Sequence, residues 1–356
     1  MKKIAIMLLI ALAIGIFSGC AGDVVVIGGC TCPTGSHNTP TTPKPTTPKP
    51  SVPAGEAALK TGLAIVCNTT GSTTGKADYD VTLVAVLVDD KGVIYDCIID
   101  SIGAKVEFDT TGTITSDVNA AVKTKNELGD AYGMVAWGGA IAEWYQQADA
   151  LAKFAIGKTV AELKNGAIDE TGKAPAGSDL ASSATIYLGG YVAAIEAAAN
   201  NAQHLGAQAG DELRLAVLPS VKSSVSATAE KTGTAQLDCD VTALTVKDGV
   251  ITSCYIDALQ AKVNFDTTGA ITGGVSNAVA TKNQLGEKYG MVSWGGAIAE
   301  WNTQAASFAA YITGKTAAQV AGIAVNEGTK PTGADLAASV TIAIGGFQAL
   351  IAKALG

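Results

Sequence analysis

The chain has 356 residues, 48% of them hydrophobic and 5% aromatic, with a formal net charge of −8 and a single arginine, Arg214. That length allows two domains of ordinary size, each with its own core, and the acidic balance excludes the basic patch that a nucleic-acid partner requires. Two histidines, His37 and His204, are too few for a zinc or haem site or for histidine-dependent nucleophilic catalysis, so no metal is expected.

In chain order, Lys2 and Lys3 precede an apolar run from Ile4 to Phe17 and then Ser18-Gly19-Cys20. This run is too short to span a bilayer and reads as a secretory signal over residues 1–19. Small residues before a cysteine resemble a bacterial lipobox, which implies a diacyl anchor on Cys20 and a membrane-attached mature protein. Residues 20–55 hold the anchor and a Pro/Thr-rich run, Thr39 to Pro50. A polyproline-like segment of this kind forms no core and acts as a spacer of roughly 60 Å at about 3.1 Å per residue.

A duplication follows. Tyr132-Gly-Met-Val-Ala-Trp-Gly-Gly-Ala-Ile-Ala-Glu-Trp144 returns with one change as Tyr289 to Trp301, Phe108-Asp-Thr-Thr-Gly112 returns at Phe265 to Gly269, and Lys125-Asn126 at Lys282-Asn283. A period this long means tandem globular domains, 56–205 and 206–356, and not a solenoid. Within each copy β-branched runs come first. Asp80–Val88, the turn Asp90-Lys-Gly92 and Val93–Ile99 predict a hairpin, as do Val241–Val246, Lys247-Asp-Gly249 and Val250–Ile256. Helical spacing follows, with Trp137, Ala140, Ile141, Trp144 and Ala148 in one copy and Trp294, Ala297, Ile298 and Trp301 in the other. Asp179 and Asp335 are expected to cap the final alanine-rich helices. Strands first and helices later give an α+β class, two tandem homologous domains each built from a small antiparallel sheet followed by packed helices. Cys97 and Cys254 match across the copies on apolar runs and are expected as buried small hydrophobes.

Each copy ends in a matching phrase: Asp179-Leu-Ala-Ser-Ser-Ala-Thr185 and Asp335-Leu-Ala-Ala-Ser-Val-Thr341. The phrase resembles the flavinylation site of FMN-binding domains, above all those of surface lipoproteins used by Gram-positive bacteria in flavin-based extracellular electron transfer. In that family a flavin transferase joins FMN through its phosphate to a threonine hydroxyl. The resemblance implies two covalent FMN groups, on Thr185 and Thr341. Asp179, Ser182, Ser183 and Ala184 match the pattern around the first. Asp335, Ala338, Ser339 and Val340 stand around the second, with Val340 bulkier than the usual alanine.

An exported redox protein would lose a dissociable flavin, so a covalent bond solves a retention problem. The isoalloxazine needs a flat apolar wall, for which Trp137 and Trp294 are candidates, with Met134 and Met291 beside them. The pairs Gly138-Gly139 and Gly295-Gly296 would let backbone approach the ring, and Glu143 and Glu300 would hydrogen-bond it. Trp144 and Trp301 are expected in the core, Lys125 and Lys282 in solvent, and Asp109 and Asp266 in Asx-turns.

The implied function is an anchored electron carrier on the outer face of the cell membrane, more relay than turnover enzyme. It would take electrons from a membrane quinone-linked dehydrogenase and pass them to ferric iron, free flavins or another extracellular acceptor. The alternative is a non-redox ligand-binding or adhesion lipoprotein with tandem domains. A reductase with a specific acceptor would call for a further catalytic domain.

Overall fold

The computed structural model describes residues 57–356; Cys20, Cys30, Cys32, His37 and the Pro/Thr run lie outside them. The described chain is mixed α+β with two antiparallel sheets. The first has strand order β1 (Lys60–Asn68), β2 (Lys76–Val88), β3 (Ile94–Glu107). Its helices follow as α1 (Lys125–Leu128), α2 (Met134–Gly138), α3 (Trp144–Ala155), α4 (Val160–Ala167) and α5 (Gly189–Asn200). The second sheet runs β4 (Glu212–Ser220), β5 (Gly233–Lys247), β6 (Val250–Phe265) and the short β7 (Ile271–Gly273). After it come α6 (Lys282–Leu285), α7 (Trp301–Ile312), α8 (Ala317–Ala321), α9 (Ala334–Ala337) and α10 (Gly345–Leu355).

Strand periodicity sends alternate side chains to opposite faces, and both faces of each sheet are used. On β2, Ala77, Tyr79, Val81, Leu83, Ala85 and Leu87 enter one core, while Val84, Val86 and Val88 enter another against α3 and α5. On β6, Leu259, Ala261, Val263 and Phe265 join the first core, and Ile251, Cys254, Ile256 and Ala258 pack under α7 and α10. The first core therefore belongs to both repeats. Each half keeps a private helix-facing core, but the sheets pack face to face and share the third, so the expectation of two separately cored halves is corrected.

Equivalent residues meet at this shared layer. Phe108 and Phe265 stack with ring centroids 3.7 Å apart and planes at 7°. The two Phe-Asp-Thr-Thr-Gly turns lie against each other, and in each the aspartate accepts from backbone and hydroxyl donors two and four residues on, as an Asx-turn does. Gly269 has φ of +73°, and a Cβ there would stand 2.7 Å from the carbonyl oxygen of Asp109. Gly269→Ala combines left-handed strain with a backbone clash across the repeat boundary, and is expected to cost about 2 kcal/mol in urea unfolding at unchanged m-value.

Two corrections concern the helices. The Trp137–Ala148 periodicity belongs to two helices, because the chain leaves α2 at Gly139, whose φ of +61° caps it, and restarts at Trp144. Nor do Asp179 and Asp335 cap the final helices. Asp179 precedes a single 3-10 turn, Leu180–Ser182, without a side-chain cap bond, and Asp335 lies inside α9 behind Gly333. The final helices start four residues past each threonine, at Gly189 and Gly345.

Cys97 and Cys254 are buried in the helix-facing cores as expected, and Cys67 and Cys239 are free and buried in the shared one. Burial pushes the Cys67 and Cys254 thiols up to about 12.

Candidate functional site

The apolar stripe of α3 is Trp144, Ala148, Leu151, Ala152 and Ala155, and it is interrupted by one amide, Gln147. On α7 the stripe is Trp301, Ala305, Phe308, Ala309 and Ile312, interrupted by Gln304. Both glutamines are fully buried. A buried amide is tolerated only when its polar atoms are paired, and here the pairing builds the site. Gln147 Oε1 accepts from the Thr185 N–H at 2.7 Å, the Ile186 N–H at 3.1 Å and the Thr185 hydroxyl at 3.3 Å. Its Nε2 donates to the Ala142 carbonyl at 2.8 Å. The second copy repeats this, with Thr341 N–H at 2.8 Å, Ile342 N–H at 3.2 Å, the Thr341 hydroxyl at 3.2 Å, and Ala299 O at 2.7 Å from Nε2.

Each glutamine thus joins the threonine phrase to the end of the Trp-Gly-Gly segment, two stretches about 40 residues apart in sequence. Sequence reasoning missed both. The available signal was a polar residue on an otherwise apolar helical stripe, repeated at the 157-residue offset.

The threonines sit at the surface, Thr185 exposed and Thr341 half-buried. Ser182 and Ser183 are exposed beside Thr185, Ser182 donating to the Asp179 carbonyl at 2.6 Å, and Asp179 itself is exposed. Ser339 is half-buried, with its hydroxyl directed to Leu336 O. Ala184 and Val340 point inward, 1% and 0% exposed. The extra methyl groups of Val340 therefore fill the core under α7 and do not crowd the acceptor hydroxyl.

Trp137 and Trp294 are 90% and 91% exposed. Neither packs in a core. Each indole instead lies over a glycine the sequence reading did not single out: a Cβ on Gly133 or Gly290 would stand 2.3 Å from the indole Cδ1. Gly138, Gly139 and Gly296 face open space, and a Cβ on Gly295 would meet only its own turn at Met291 O. Met134 and Met291 are half-buried against the helix-facing cores. In the first copy Tyr187, 59% exposed, lies over Gly172 in the same manner.

Glu143 and Glu300 hold the loop from below. Glu143 is 5% exposed, and its two carboxylate oxygens accept from the Met134 and Val135 N–H groups at 2.8 and 2.9 Å. Glu300 does the same for Met291 and Val292 at 2.8 and 3.0 Å. Their oxygens serve the loop backbone inside the protein. Trp144 and Trp301 are buried as expected. Lys125 and Lys282 are not free in solvent. Lys125 Nζ lies 5.3 Å from the Tyr132 ring and 5.0 Å from Trp144, and Lys282 Nζ 5.2 Å from Tyr289 and 4.8 Å from Trp301, fixing loop to helix by cation–π contact.

Behind α6, Asp257 is buried on β6 and accepts from the Ala258 and Asn283 N–H groups at 2.7 and 3.0 Å. Burial outweighs these bonds and the nearby Lys282, and pushes its carboxyl up to about 6. Because the folded value lies above the unfolded one, the native state holds the proton more tightly, and this contribution to stability is lost as pH rises from about 4 through about 6. Asp100 and Asp240 shift in the same direction through burial, whereas Asp109 and Asp266, lowered by turn hydrogen bonds, act in the opposite sense below pH 4. Asp257→Asn keeps an oxygen for both N–H groups. It is expected to raise stability at pH 7.5 by about 2 kcal/mol and to flatten the slope between pH 4.5 and 7, read from urea unfolding across that range.

Among the described residues no group of three or more His, Cys, Asp or Glu side chains is placed to hold a metal ion, and no helix is long and apolar enough to cross a membrane. Comparisons with protein-family models, curated proteins and solved structures return no match to this chain.

Proposed function

We propose that the chain is a cell-surface electron-relay flavoprotein of two tandem homologous domains, with FMN joined by a phosphoester to Thr185 and to Thr341. The observation that carries this reading is the repeated frame: a threonine hydroxyl at the surface, held by a fully buried glutamine that also fixes the loop bearing a wholly exposed tryptophan. Each part suits such a group. The acceptor residue is exposed in the first copy and half-buried in the second, its exposed neighbours are small, and the indole offers a flat face of the size an isoalloxazine stacks on. Ser182 and Ser183 precede the first attachment point and Ala338 and Ser339 the second, and in each copy a helix, α5 or α10, starts four residues further on.

When bound, the flavin supplies two-electron uptake and single-electron release, and the chain's residues position it. The donor is a membrane quinone-linked dehydrogenase and the acceptor an extracellular oxidant such as ferric iron or free flavin. A lipid anchor at Cys20 and the Pro/Thr spacer keep the domains outside the membrane.

The experiment is intact-mass and peptide mass spectrometry on protein co-expressed with a flavin transferase. Two FMN additions are expected, on the peptides containing Thr185 and Thr341, each abolished by its own Thr→Ala substitution. No addition, in a host that flavinylates a control protein, would sink the redox reading and leave a binding or adhesion lipoprotein, for which the exposed indoles would be contact residues.

A further inference from the structure

A cleft of about 800 Å³ opens in the second half of the chain, away from both threonines, between the 203–205 connector, β6 around Tyr255 and one face of α7. Its size lies in the range of roughly 300–1,000 Å³ typical of small-molecule sites. The helix face that lines it carries side chains that differ between the repeats. At the offset of 157 residues, Tyr145, Asp149 and Lys153 of α3 correspond to Asn302, Ala306 and Ala310 of α7. In the first copy Tyr145 reaches Asp130, and Asp149 pairs with Lys153 at 2.6 Å, covering that helix face. In the second copy two alanines leave it open.

The connector over the cleft is fixed. Gln203 exchanges backbone hydrogen bonds with Thr61 at 2.9 and 3.0 Å, and Gly206 passes so close to β6 that a Cβ would stand 2.4 Å from Thr252 O. His204 is held by Asp90 at 2.9 Å.

The lining chemistry is selective. No Asp, Glu, Lys or Arg is among the lining residues, in a chain that carries 24 basic and 32 acidic ones. Its polar lining is mostly amides and hydroxyls, which both donate and accept, with the His204 imidazole among them, around a shelf made by Ala306 and Ala310. One group in it lacks a partner: Asn302 Oδ1 is buried and has no hydrogen bond among the described residues. An unmet buried acceptor is unfavourable, and a small rotation of the Asn302 side chain toward the cleft would let a ligand N–H or O–H satisfy it.

We infer that this cleft is a binding site for a neutral saccharide. A sugar presents hydroxyls that match amide and hydroxyl partners in both senses, an apolar ring face for the alanine shelf, and no charge to be stranded against a lining without Asp, Glu, Lys or Arg, whose His204 is already engaged by Asp90. The site stands independently of any flavin.

The test is an NMR titration of the chain with N,N′-diacetylchitobiose, beside the double variant A306D/A310K, which installs the first copy's side chains at two exposed positions. Saturable shifts are expected at the amides of Tyr255, Asn302 and Ala306, with affinity at least about tenfold weaker in the variant and an unchanged melting temperature. No saturable shift at millimolar sugar, shifts elsewhere, or equal binding by the variant would overturn the inference.

Discussion

Gln147→Ala is expected to lower the unfolding free energy by about 4 kcal/mol and to abolish modification of Thr185 while leaving Thr341 modified. The truncation removes the acceptor of the Thr185 and Ile186 N–H groups and the donor to Ala142 O, and each buried polar group left unpaired costs about 1–3 kcal/mol. It also leaves a void on the core face of α3, between Trp144 and Leu151, adding a cavity cost. Gln147→Glu keeps the acceptor but aims a second oxygen at the Ala142 carbonyl, so it rescues little. Gln304→Ala should mirror the result, with Thr341 lost and Thr185 kept. The readouts are urea unfolding for stability and peptide mass for each threonine. Loss of stability with both threonines still modified would separate the glutamine from the function proposed for the site.

What the sequence makes legible is what local pattern controls. The hairpins around Gly92 and Gly249, the buried Trp144 and Trp301, and the Asx-turns at Asp109 and Asp266 all follow from alternation, periodicity or turn chemistry. The strands run further than the β-branched cores predict, β3 to Glu107 and β6 to Phe265. Their distal halves, with Ala104 and Ala261, look weak alone and become core only against the opposite sheet. The edge strands β1 and β4 were not anticipated for the same reason. At the Trp-Gly-Gly segment the sequence did not show that the first pair ends a helix, with Gly139 as its cap. The residues that seat the indoles are Gly133 and Gly290, four positions earlier, and only tertiary contact shows it. Gln147 and Gln304 were visible as letters but not as partners, since each pairing crosses nearly 40 residues.

Glu143→Gln tests the platform apart from the threonine. A carboxylate offers an acceptor to each of two adjacent N–H groups, and Met134 and Val135 use one oxygen each. A carboxamide keeps one acceptor and turns an N–H₂ toward the other donor, so the substitution replaces one charge-assisted bond by a donor–donor contact and weakens the second. Such bonds contribute about 1.5–3 kcal/mol each, and the expected local loss is about 3 kcal/mol, with Glu143→Ala similar. The direct readout is amide hydrogen exchange: Met134 and Val135 should exchange about a hundredfold faster, while the β2 and β3 amides, protected by the global fold, change much less. Glu300→Gln should free Met291 and Val292 in the same way and add independently to the first, since the two loops share no partner in their hydrogen bonds. If flavin is attached at Thr185 in the variant but its absorption band loses the shift that stacking imposes, the indole is the ring's wall. An unchanged band would place the ring elsewhere and leave Trp137, exposed over Gly133, as a surface for some other partner.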